Sequence, residues 1–266
     1  MNAYIFDVDG VITNLQEKQV KEIKILEIIS KLLKNQAVAF NTGRDLNWVV
    51  ERVLNPLLEK IEDKSVLQSL FIVGEKGGTW LNFDENGNMI KQRDNSILMP
   101  QTLQDKLKNL AGEEFSDYVF YDENKETMIS LEIKDGLPLE EFNRIHPLLD
   151  EKISEILNQE NVNDKIHLVS VTLSTDIESK TVGKDFGAKR ILQWINKKKI
   201  KPEKFITIGD SKPDIEMAEE IYKQGLKVEY VSVGNHNFYA GKDYPFKIIF
   251  TQNHYDKGTL EYFGTN

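Results

Sequence analysis

The spacing of apolar residues in the first third of the chain predicts strands and helices in alternation. Short apolar runs at 3–6, 37–40 and 70–73 are typical of buried strands. Between them, apolar residues recur at helical spacing within 17–34 and again after Asp45, a residue type that favours the position just before a helix. A strand–helix–strand–helix–strand order is the signature of a doubly wound parallel sheet.

The pattern changes near residue 79. Residues 79–91 surround the turn sequence ENGN, which favours a hairpin. Further strands are predicted at 118–121, 127–133 and 166–173, and a long amphipathic helix at 139–158. Residues 79–176 therefore read as a separate α+β unit with antiparallel strands.

The strand–helix alternation returns after residue 177. The predicted elements are helices at 186–199, 214–223 and 257–263, and strands at 205–208, 228–233 and 247–250. The sequence thus predicts an α/β fold with a Rossmann-like, doubly wound parallel core. Residues 1–78 and 177–266 would form this core, and 79–176 an inserted α+β cap domain.

Composition and charge argue against several classes of function for this protein. The chain has 266 residues, 40% hydrophobic and 29% charged, which is ordinary for a globular protein. Its net charge of −9 argues against a nucleic-acid partner, because such binding usually requires a basic face. The absence of cysteine excludes disulfides and thiolate chemistry. The chain shows neither a signal-peptide pattern nor a long apolar run, so we expect a cytoplasmic monomer or homodimer without a membrane partner.

Acidic and hydroxyl side chains follow three of the predicted strands directly. These residues are Asp7, Asp9 and Gly10 after the first strand, Thr42, Gly43 and Arg44 after the second, and Asp210, Ser211 and Asp214 after the strand at 205–208. In open α/β sheets ligands bind beyond the carboxyl ends of the strands, so we expect these residues to meet. Four carboxylates in one pocket repel each other, and Mg²⁺ prefers such oxygen ligands. The set favours phosphoryl transfer with Mg²⁺ as cofactor, and an aspartate can serve as the nucleophile.

These segments, taken in order, resemble the four motifs of the haloacid dehalogenase superfamily. The matching segments are DVDGVIT (7–13), NTGR (41–44), the lysine of VGKDFGAKRIL (182–192) and GDSKPDIEMA (209–218). The insertion between the second and third motifs is similar to the subgroup with an α/β cap, class IIB, which includes Cof-type and sugar-phosphate phosphatases. The segments VSVGN (231–235) and IIFTQNHYDKG (248–258) resemble the closing segments of that subgroup.

The resemblance implies a role for each matching residue. Asp7 would be the nucleophile, and Asp9 the general acid that later acts as the base for water. Lys184 would neutralise charge between Asp7 and the phosphate, with Lys180 as the alternative lysine. The implied substrate-binding residues are Gly10, Thr42, Gly43, Arg44 and Lys184, of which Thr42 and Lys184 are also counted as catalytic. The implied Mg²⁺ ligands are Asp7, the Asp9 backbone carbonyl, Asp210 and, directly or through water, Asp214.

Several of these residues also fit a simpler interpretation. The segment from Asp7 to Gly10 alone is compatible with a turn, and Thr42 with a cap of the helix that starts near Asp45. Lys184 alone is compatible with a solvated surface lysine, and Arg44 with either structural pairing or substrate contact. The order of the four motifs favours the catalytic interpretation.

The function implied by the resemblance is that of an Mg²⁺-dependent phosphatase. Its substrate would be a small phosphorylated metabolite, a sugar or polyol phosphate, hydrolysed through an aspartyl-phosphate intermediate. Two alternatives stay open: a phosphohexomutase that uses the same aspartates, and a non-catalytic regulatory protein that binds phosphate. The presence of Asp7, Asp9, Lys184 and Asp210 together favours an enzyme.

Overall fold

The structure is a computed structural model that describes residues 1–239 and 241–264. The chain divides into two compact units, Met1–Gln92 with Gly183–Asn266, and Arg93–Val182. An eight-stranded sheet forms the centre of the first unit, and a four-stranded sheet that of the second.

The strands of the described residues are short and number twelve. They are β1 Ala3–Phe6, β2 Ala37–Asn41, β3 Leu70–Gly74, β4 Thr79–Phe83, β5 Met89–Arg93, β6 Val119–Tyr121, β7 Ile129–Ile133, β8 Ile166–Val171, β9 Ser174–Ser179, β10 Phe205–Gly209, β11 Val228–Ser232 and β12 Lys247–Phe250.

The α-helices vary more in length. They are α1 Ile23–Leu33, α2 Leu46–Val49, α3 Asn55–Leu58, α4 Gln101–Gly112, α5 Leu139–Gln159, α6 Lys184–Lys197, α7 Ile215–Lys223 and α8 Tyr255–Tyr262. A π-helical segment, Val50–Leu54, joins α2 to α3, and single 3-10 turns include Glu75–Gly77 and Lys212–Asp214. Among the described residues no helix combines the length and the apolar character that crossing a membrane requires.

The large sheet confirms the predicted doubly wound parallel core. Its strand order is β12-β11-β10-β1-β2-β3-β4-β5, and the six strands from β12 to β3 run parallel. In the middle of the sheet, Phe6 of β1 is in register with Ile208 of β10 and Phe40 of β2. The carboxyl ends of these three strands therefore lie side by side, which brings the residues that follow them to one edge.

Helices cover both faces of this sheet. Along β1, Phe6 packs in one apolar cluster with Leu26 of α1, while its neighbour Ile5 packs in a second cluster with Ile191 of α6. Both β1 side chains are fully buried. Strands buried on both faces read as continuous apolar runs, which explains why the core strands are visible in the sequence.

The hairpin β4–β5 belongs to the large sheet and not to the inserted unit. β4 pairs antiparallel with β3, with Val73 opposite Trp80. The boundaries of the compact units consequently fall at 92/93 and 182/183, whereas the sequence analysis set them at 78/79 and 176/177. The turn residues of a hairpin specify the turn but not the sheet that the hairpin joins, so this assignment depended on tertiary pairing.

The second unit is an antiparallel sheet packed against two helices. Its strand order is β6-β7-β9-β8, and Leu131 and Ile177 of the sheet pack with Leu107 of α4 and Phe142 of α5. The sequence analysis missed α4 and β9. Both are polar: β9 reads STDIES and α4 reads QTLQDKLKNLAG, so neither stands out by its apolar residues alone.

Candidate active site

Asp7 and Asp214 share the ammonium group of Lys184. Lys184 opens α6, and its Nζ lies 2.5 Å from Asp7 Oδ1 and 2.8 Å from Asp214 Oδ1. Asp7 is 7% exposed and Asp214 is fully buried. Burial opposes the charge on Lys184, but the attraction of Asp214 and Asp7 outweighs it and raises the pKa of the lysine.

Asn41 holds Lys184 from a second side. The Nζ of Lys184 donates to the Asn41 carbonyl at 2.8 Å, and Asn41 Nδ2 donates to the Lys184 carbonyl at 2.8 Å. A Cβ on Gly187 would lie 2.1 Å from Asn41 Oδ1, so α6 approaches β2 this closely only with glycine there. The sequence analysis gave Asn41 no role; the available signal was one amide at the end of the apolar strand AVAFN.

Asp210 and Asp214 follow β10 and occupy different surroundings. Asp214 Oδ2 accepts hydrogen bonds from the backbone N–H of Asp210 at 3.2 Å, and from the N–H and hydroxyl of Ser211 at 2.9 and 2.6 Å. Because Lys184 contacts the other oxygen, both Asp214 oxygens contact protein donors. Asp210 instead extends toward Gly10, where a Cβ would lie 2.5 Å from Asp210 Oδ2. Gly10 has φ +72°, so glycine serves here both the turn and the close approach.

Three carboxylates meet at this edge of the sheet. Asp7, Asp210 and Asp214 each offer a ligand oxygen, and these oxygens lie within 4.8 Å of one another. Burial, followed by repulsion from Asp214, raises the pKa of Asp7 well above its usual range and the pKa of Asp210 to about 7. Such an excess of negative charge in an oxygen-only donor set fits a hard divalent cation such as Mg²⁺.

Asp9 points to a different partner. Its carboxylate accepts from Arg44 Nε at 3.0 Å and from Arg44 Nη2 at 3.1 Å, a two-pronged ion pair. The guanidinium of Arg44 also lies 4.8 Å from the ring centroid of Trp48. Structural pairing, one of the two interpretations of Arg44, is therefore present in this structure.

Thr42 and Gly43 form the turn that leads to Arg44. The Thr42 hydroxyl accepts from the Arg44 N–H at 3.1 Å, and the Thr42 N–H donates to the Val73 carbonyl at 3.0 Å. The cap of α2 is Asp45, as predicted, because its side chain accepts from the Trp48 N–H at 2.9 Å. Thr42 itself is almost fully buried beside the carboxyl end of β2.

The two candidate lysines, Lys180 and Lys184, have different surroundings in the structure. Lys180 is exposed and belongs to the unit Arg93–Val182, where its backbone N–H donates to the Lys165 carbonyl. Lys184 contacts Asp7 and Asp214 directly. Of the two, Lys184 has the surroundings that the resemblance implies for the motif lysine.

Comparisons with known proteins find likeness in three dimensions and not in sequence. No family model matches the chain, and no curated protein sequence matches it either. The C-terminal domain of trehalose-6-phosphate phosphatase from C. albicans has a TM-score of 0.65 at 14% identity, covering 99% of this chain and 91% of that chain. The sucrose-phosphatase of Synechocystis, solved with sucrose and phosphate, has a TM-score of 0.57 at 14% identity, covering 99% and 96%.

A nucleotide phosphatase also shares the architecture. The IMP-nucleotidase of Plasmodium falciparum has a TM-score of 0.56 at 15% identity, covering 95% of this chain and 65% of that chain. With identities of 14–15%, these likenesses show that the chain shares the α/β fold of proteins named as phosphatases and a nucleotidase, as the sequence analysis expected for the fold.

Proposed function

We propose that this protein is an Mg²⁺-dependent phosphomonoester hydrolase that works through an aspartyl-phosphate on Asp7. One observation carries the proposal: the buried carboxylate of Asp7 contacts the Lys184 ammonium at 2.5 Å, and its ligand oxygen lies within 4.8 Å of those of Asp210 and Asp214. This arrangement combines a nucleophile, a fixed cation and a place for a metal. Positioning and charge neutralisation are what phosphoryl transfer requires from a protein.

In the first step, an oxygen of Asp7 attacks phosphorus while the bond to the ester oxygen breaks. Lys184 orients the attacking carboxylate and neutralises part of the charge on the phosphoryl oxygens. Asp9 gives its proton to the departing alkoxide, which leaves as an alcohol. The product of this step is a phosphate ester of the Asp7 carboxylate.

In the second step, water hydrolyses the phosphorylated Asp7. Asp9, now the conjugate base, takes a proton from the water as the water oxygen attacks phosphorus. The bond between phosphorus and Asp7 breaks, and inorganic phosphate leaves. In this structure both Asp9 oxygens accept hydrogen bonds from Arg44, and one of these bonds would open when Asp9 carries the proton that it transfers.

Asp7 and Asp210 are the residues that would hold Mg²⁺, together with the Asp9 backbone carbonyl. When bound, the ion supplies charge neutralisation for the phosphoryl oxygens. Asp214 would support the site from behind, because its oxygens contact Lys184, Ser211 and the Asp210 N–H. The Thr42–Gly43 turn would bind phosphate oxygens next to them.

For the substrate we propose a small phosphorylated sugar or polyol. Two of the neighbours in fold are named for phosphorylated disaccharides, trehalose-6-phosphate and sucrose phosphate, which supports this class. The nucleotidase among the neighbours makes a nucleoside monophosphate the competing class. A panel of both classes decides between them.

The decisive experiment measures p-nitrophenyl phosphate hydrolysis by the pure protein with Mg²⁺ and with EDTA. We expect turnover that requires Mg²⁺ and disappears in Asp7→Asn. Rapid acid quench with labelled substrate should recover protein-bound phosphate from the unaltered chain but none from Asp7→Asn. Turnover that Asp7→Asn does not lower, or none at all, contradicts the proposal.

A further inference from the structure

Tyr255, the first residue of α8, adopts a backbone conformation that disfavours its own side chain. Its φ is +60°, in the left-handed region that glycine and asparagine occupy more readily than a bulky aromatic residue. The residue is also 38% exposed, so burial in the apolar core does not account for a tyrosine at this position. Backbone strain of this kind is typical of residues with a functional role.

The ring of Tyr255 lies against the loop that carries Asp9. A Cβ built on Gly10 would lie 3.3 Å from Tyr255 Cδ1 and 2.5 Å from Asp210 Oδ2. The ring and the Asp210 carboxylate therefore both lie next to Gly10. The peptide that joins Asp9 to Gly10 contains the Asp9 carbonyl, which is one of the proposed Mg²⁺ ligands.

Thr259 anchors α8 to the same loop one turn further along the helix. Its hydroxyl donates to the Val11 carbonyl at 2.8 Å, and the residue is fully buried. Residues four apart lie on one face of a helix, so Tyr255 and Thr259 both face the loop formed by residues 9–11. The first turn of α8 therefore supports this loop at two points.

The backbone of Tyr255 is bonded to the segment that packs against Asp210. Its N–H donates to the Val233 carbonyl at 2.5 Å, and the preceding His254 donates from Nδ1 to the Gly234 carbonyl at 2.9 Å. A Cβ on Gly234 would lie 1.7 Å from the Asp210 carbonyl oxygen, so this segment packs directly on the Asp210 backbone. These hydrogen bonds fix the position of Tyr255 relative to Asp210.

We propose that Tyr255 is a positioning residue for the metal site, whose ring holds Gly10 in place beside Asp210 and thereby fixes the Asp9 carbonyl. This inference rests on the proposed Mg²⁺-dependent function and adds a residue to it. Mg²⁺ requires near-ideal octahedral geometry, so a carbonyl ligand that is free to shift binds the ion more weakly. Loss of a group that orients a metal ligand typically lowers metal affinity about tenfold or more.

The test compares Tyr255→Asn with Tyr255→Phe and Tyr262→Asn. Asparagine tolerates the left-handed region, so Tyr255→Asn removes the ring and relieves the backbone strain. Tyr255→Phe keeps the ring that lies against Gly10. Tyr262→Asn is the matched control, because it removes a partly buried tyrosine from the other end of α8, where the ring packs on Phe263 with 5.0 Å between the centroids.

Calorimetric titration of Mg²⁺ into each metal-free protein measures the dissociation constant. We expect this constant to rise about tenfold in Tyr255→Asn and to stay within about twofold in Tyr255→Phe and Tyr262→Asn. An unchanged constant in Tyr255→Asn, or an equal loss in Tyr262→Asn, would show that α8 contributes only to stability, and would overturn the proposal. A tenfold loss in Tyr255→Phe would assign the effect to the hydroxyl and overturn it as well.

A second variant covers the case in which Tyr255→Asn does not fold. Tyr255→Leu then takes its place, because leucine retains an apolar side chain at this position but has no flat ring to lie against Gly10. We expect Tyr255→Leu to weaken Mg²⁺ binding at least about threefold. A smaller loss in this variant would overturn the proposal.

Mg²⁺ affinity is measured without substrate, which separates this proposal from the activity on which it rests. If the unaltered chain binds Mg²⁺ but does not hydrolyse esters, the proposed activity is wrong, and a tenfold loss of Mg²⁺ affinity in Tyr255→Asn still supports the role of Tyr255. If esters are hydrolysed and the two proteins bind Mg²⁺ equally, the activity stands and this proposal is overturned. Absence of Mg²⁺ binding by the unaltered chain overturns both.

Discussion

Arg44 holds the carboxylate of Asp9 through two nitrogens, with Nε 3.0 Å from Oδ2 and Nη2 3.1 Å from Oδ1. Both side chains are about one quarter exposed. An exposed ion pair contributes little to stability, whereas a two-pronged pair fixes the direction of the carboxylate. We therefore assign Arg44 to positioning the proposed general acid.

Replacing Arg44 by lysine should lower kcat about tenfold with a smaller change in KM. Lysine keeps the charge but makes only a point contact, so Asp9 would lose its fixed orientation. Steady-state kinetics with p-nitrophenyl phosphate measures both constants. Arg52→Lys, an exposed position on the π-helical segment after α2, is the control and should leave both unchanged. A change confined to KM would instead support direct substrate contact by Arg44.

Replacing Lys184 by methionine should destabilise the metal-free protein by about 3–5 kcal/mol. The substitution leaves Asp7 and Asp214 as buried carboxylates without their shared cation. Urea denaturation in EDTA measures the free energy of unfolding. Lys180→Met provides the matched control, because Lys180 is exposed, and it should cost less than about 0.5 kcal/mol. Equal effects at the two positions would contradict the assigned ion pair.

Replacing Asp210 by asparagine should stabilise the metal-free protein while abolishing activity. Burial and the nearby Asp214 raise the pKa of Asp210 to about 7, so the folded state binds this proton more tightly than the unfolded state. Stability is therefore lost as pH rises from about 4 to about 7, and the loss is complete above that range.

The gain of Asp210→Asn should accordingly grow over the same pH range and reach about 4 kcal/mol at pH 8, because each unit by which the pKa of Asp210 is raised corresponds to about 1.4 kcal/mol. Urea denaturation in EDTA at several pH values measures it. Asp164→Asn, at an exposed position in the second unit, is the control and should change little at any pH. A gain at position 210 that does not depend on pH would speak against repulsion as its cause.

Replacing Gly10 by alanine should cost more stability than the same change at Gly136. Both glycines have positive φ, +72° and +82°, so both alanines carry a conformational cost of about 1 kcal/mol. Only at Gly10 does the new Cβ collide, 2.5 Å from Asp210 Oδ2, while nothing lies within 4 Å at Gly136. We expect an additional loss of about 1–3 kcal/mol at Gly10, together with weaker Mg²⁺ binding.

Denaturation and Mg²⁺ titration of the two glycine variants check this difference. Mg²⁺ affinity should fall in Gly10→Ala alone, because the displaced oxygen belongs to a proposed ligand. If Gly136→Ala lowers the free energy of unfolding as much as Gly10→Ala does, the close approach of Asp210 to Gly10 does not contribute to the cost of the substitution.

The strands of the parallel core could be predicted from the sequence because they are buried on both faces of the sheet. The runs around Phe6, Phe40 and Ile208 are continuous and apolar, and each ends in polar residues at the same edge of the sheet. The positions of Asp7, Thr42 and Asp210 after these strands were therefore predictable, and the contacts of Asp7 with Lys184 agree with the motif order.

Polar elements were harder to predict. The strand Ser174–Ser179 offers only one large apolar side chain, Ile177, and its burial comes from neighbouring strands. The hairpin Thr79–Phe83 with Met89–Arg93 was recognised, but its pairing with the large sheet was not. Pairing between strands is a long-range choice that local propensity does not specify.

By itself, the sequence determined the order of strands and helices in the parallel core and the acids that follow its strands, because burial periodicity and motif spacing are local properties of the chain. Only the tertiary structure decided which charges meet. Arg44 pairs with Asp9, and Lys184 joins Asp7 to Asp214. Each of these contacts depends on a separation of a few ångströms between segments that are up to 177 residues apart, and such separations are set by how the helices and the sheet pack.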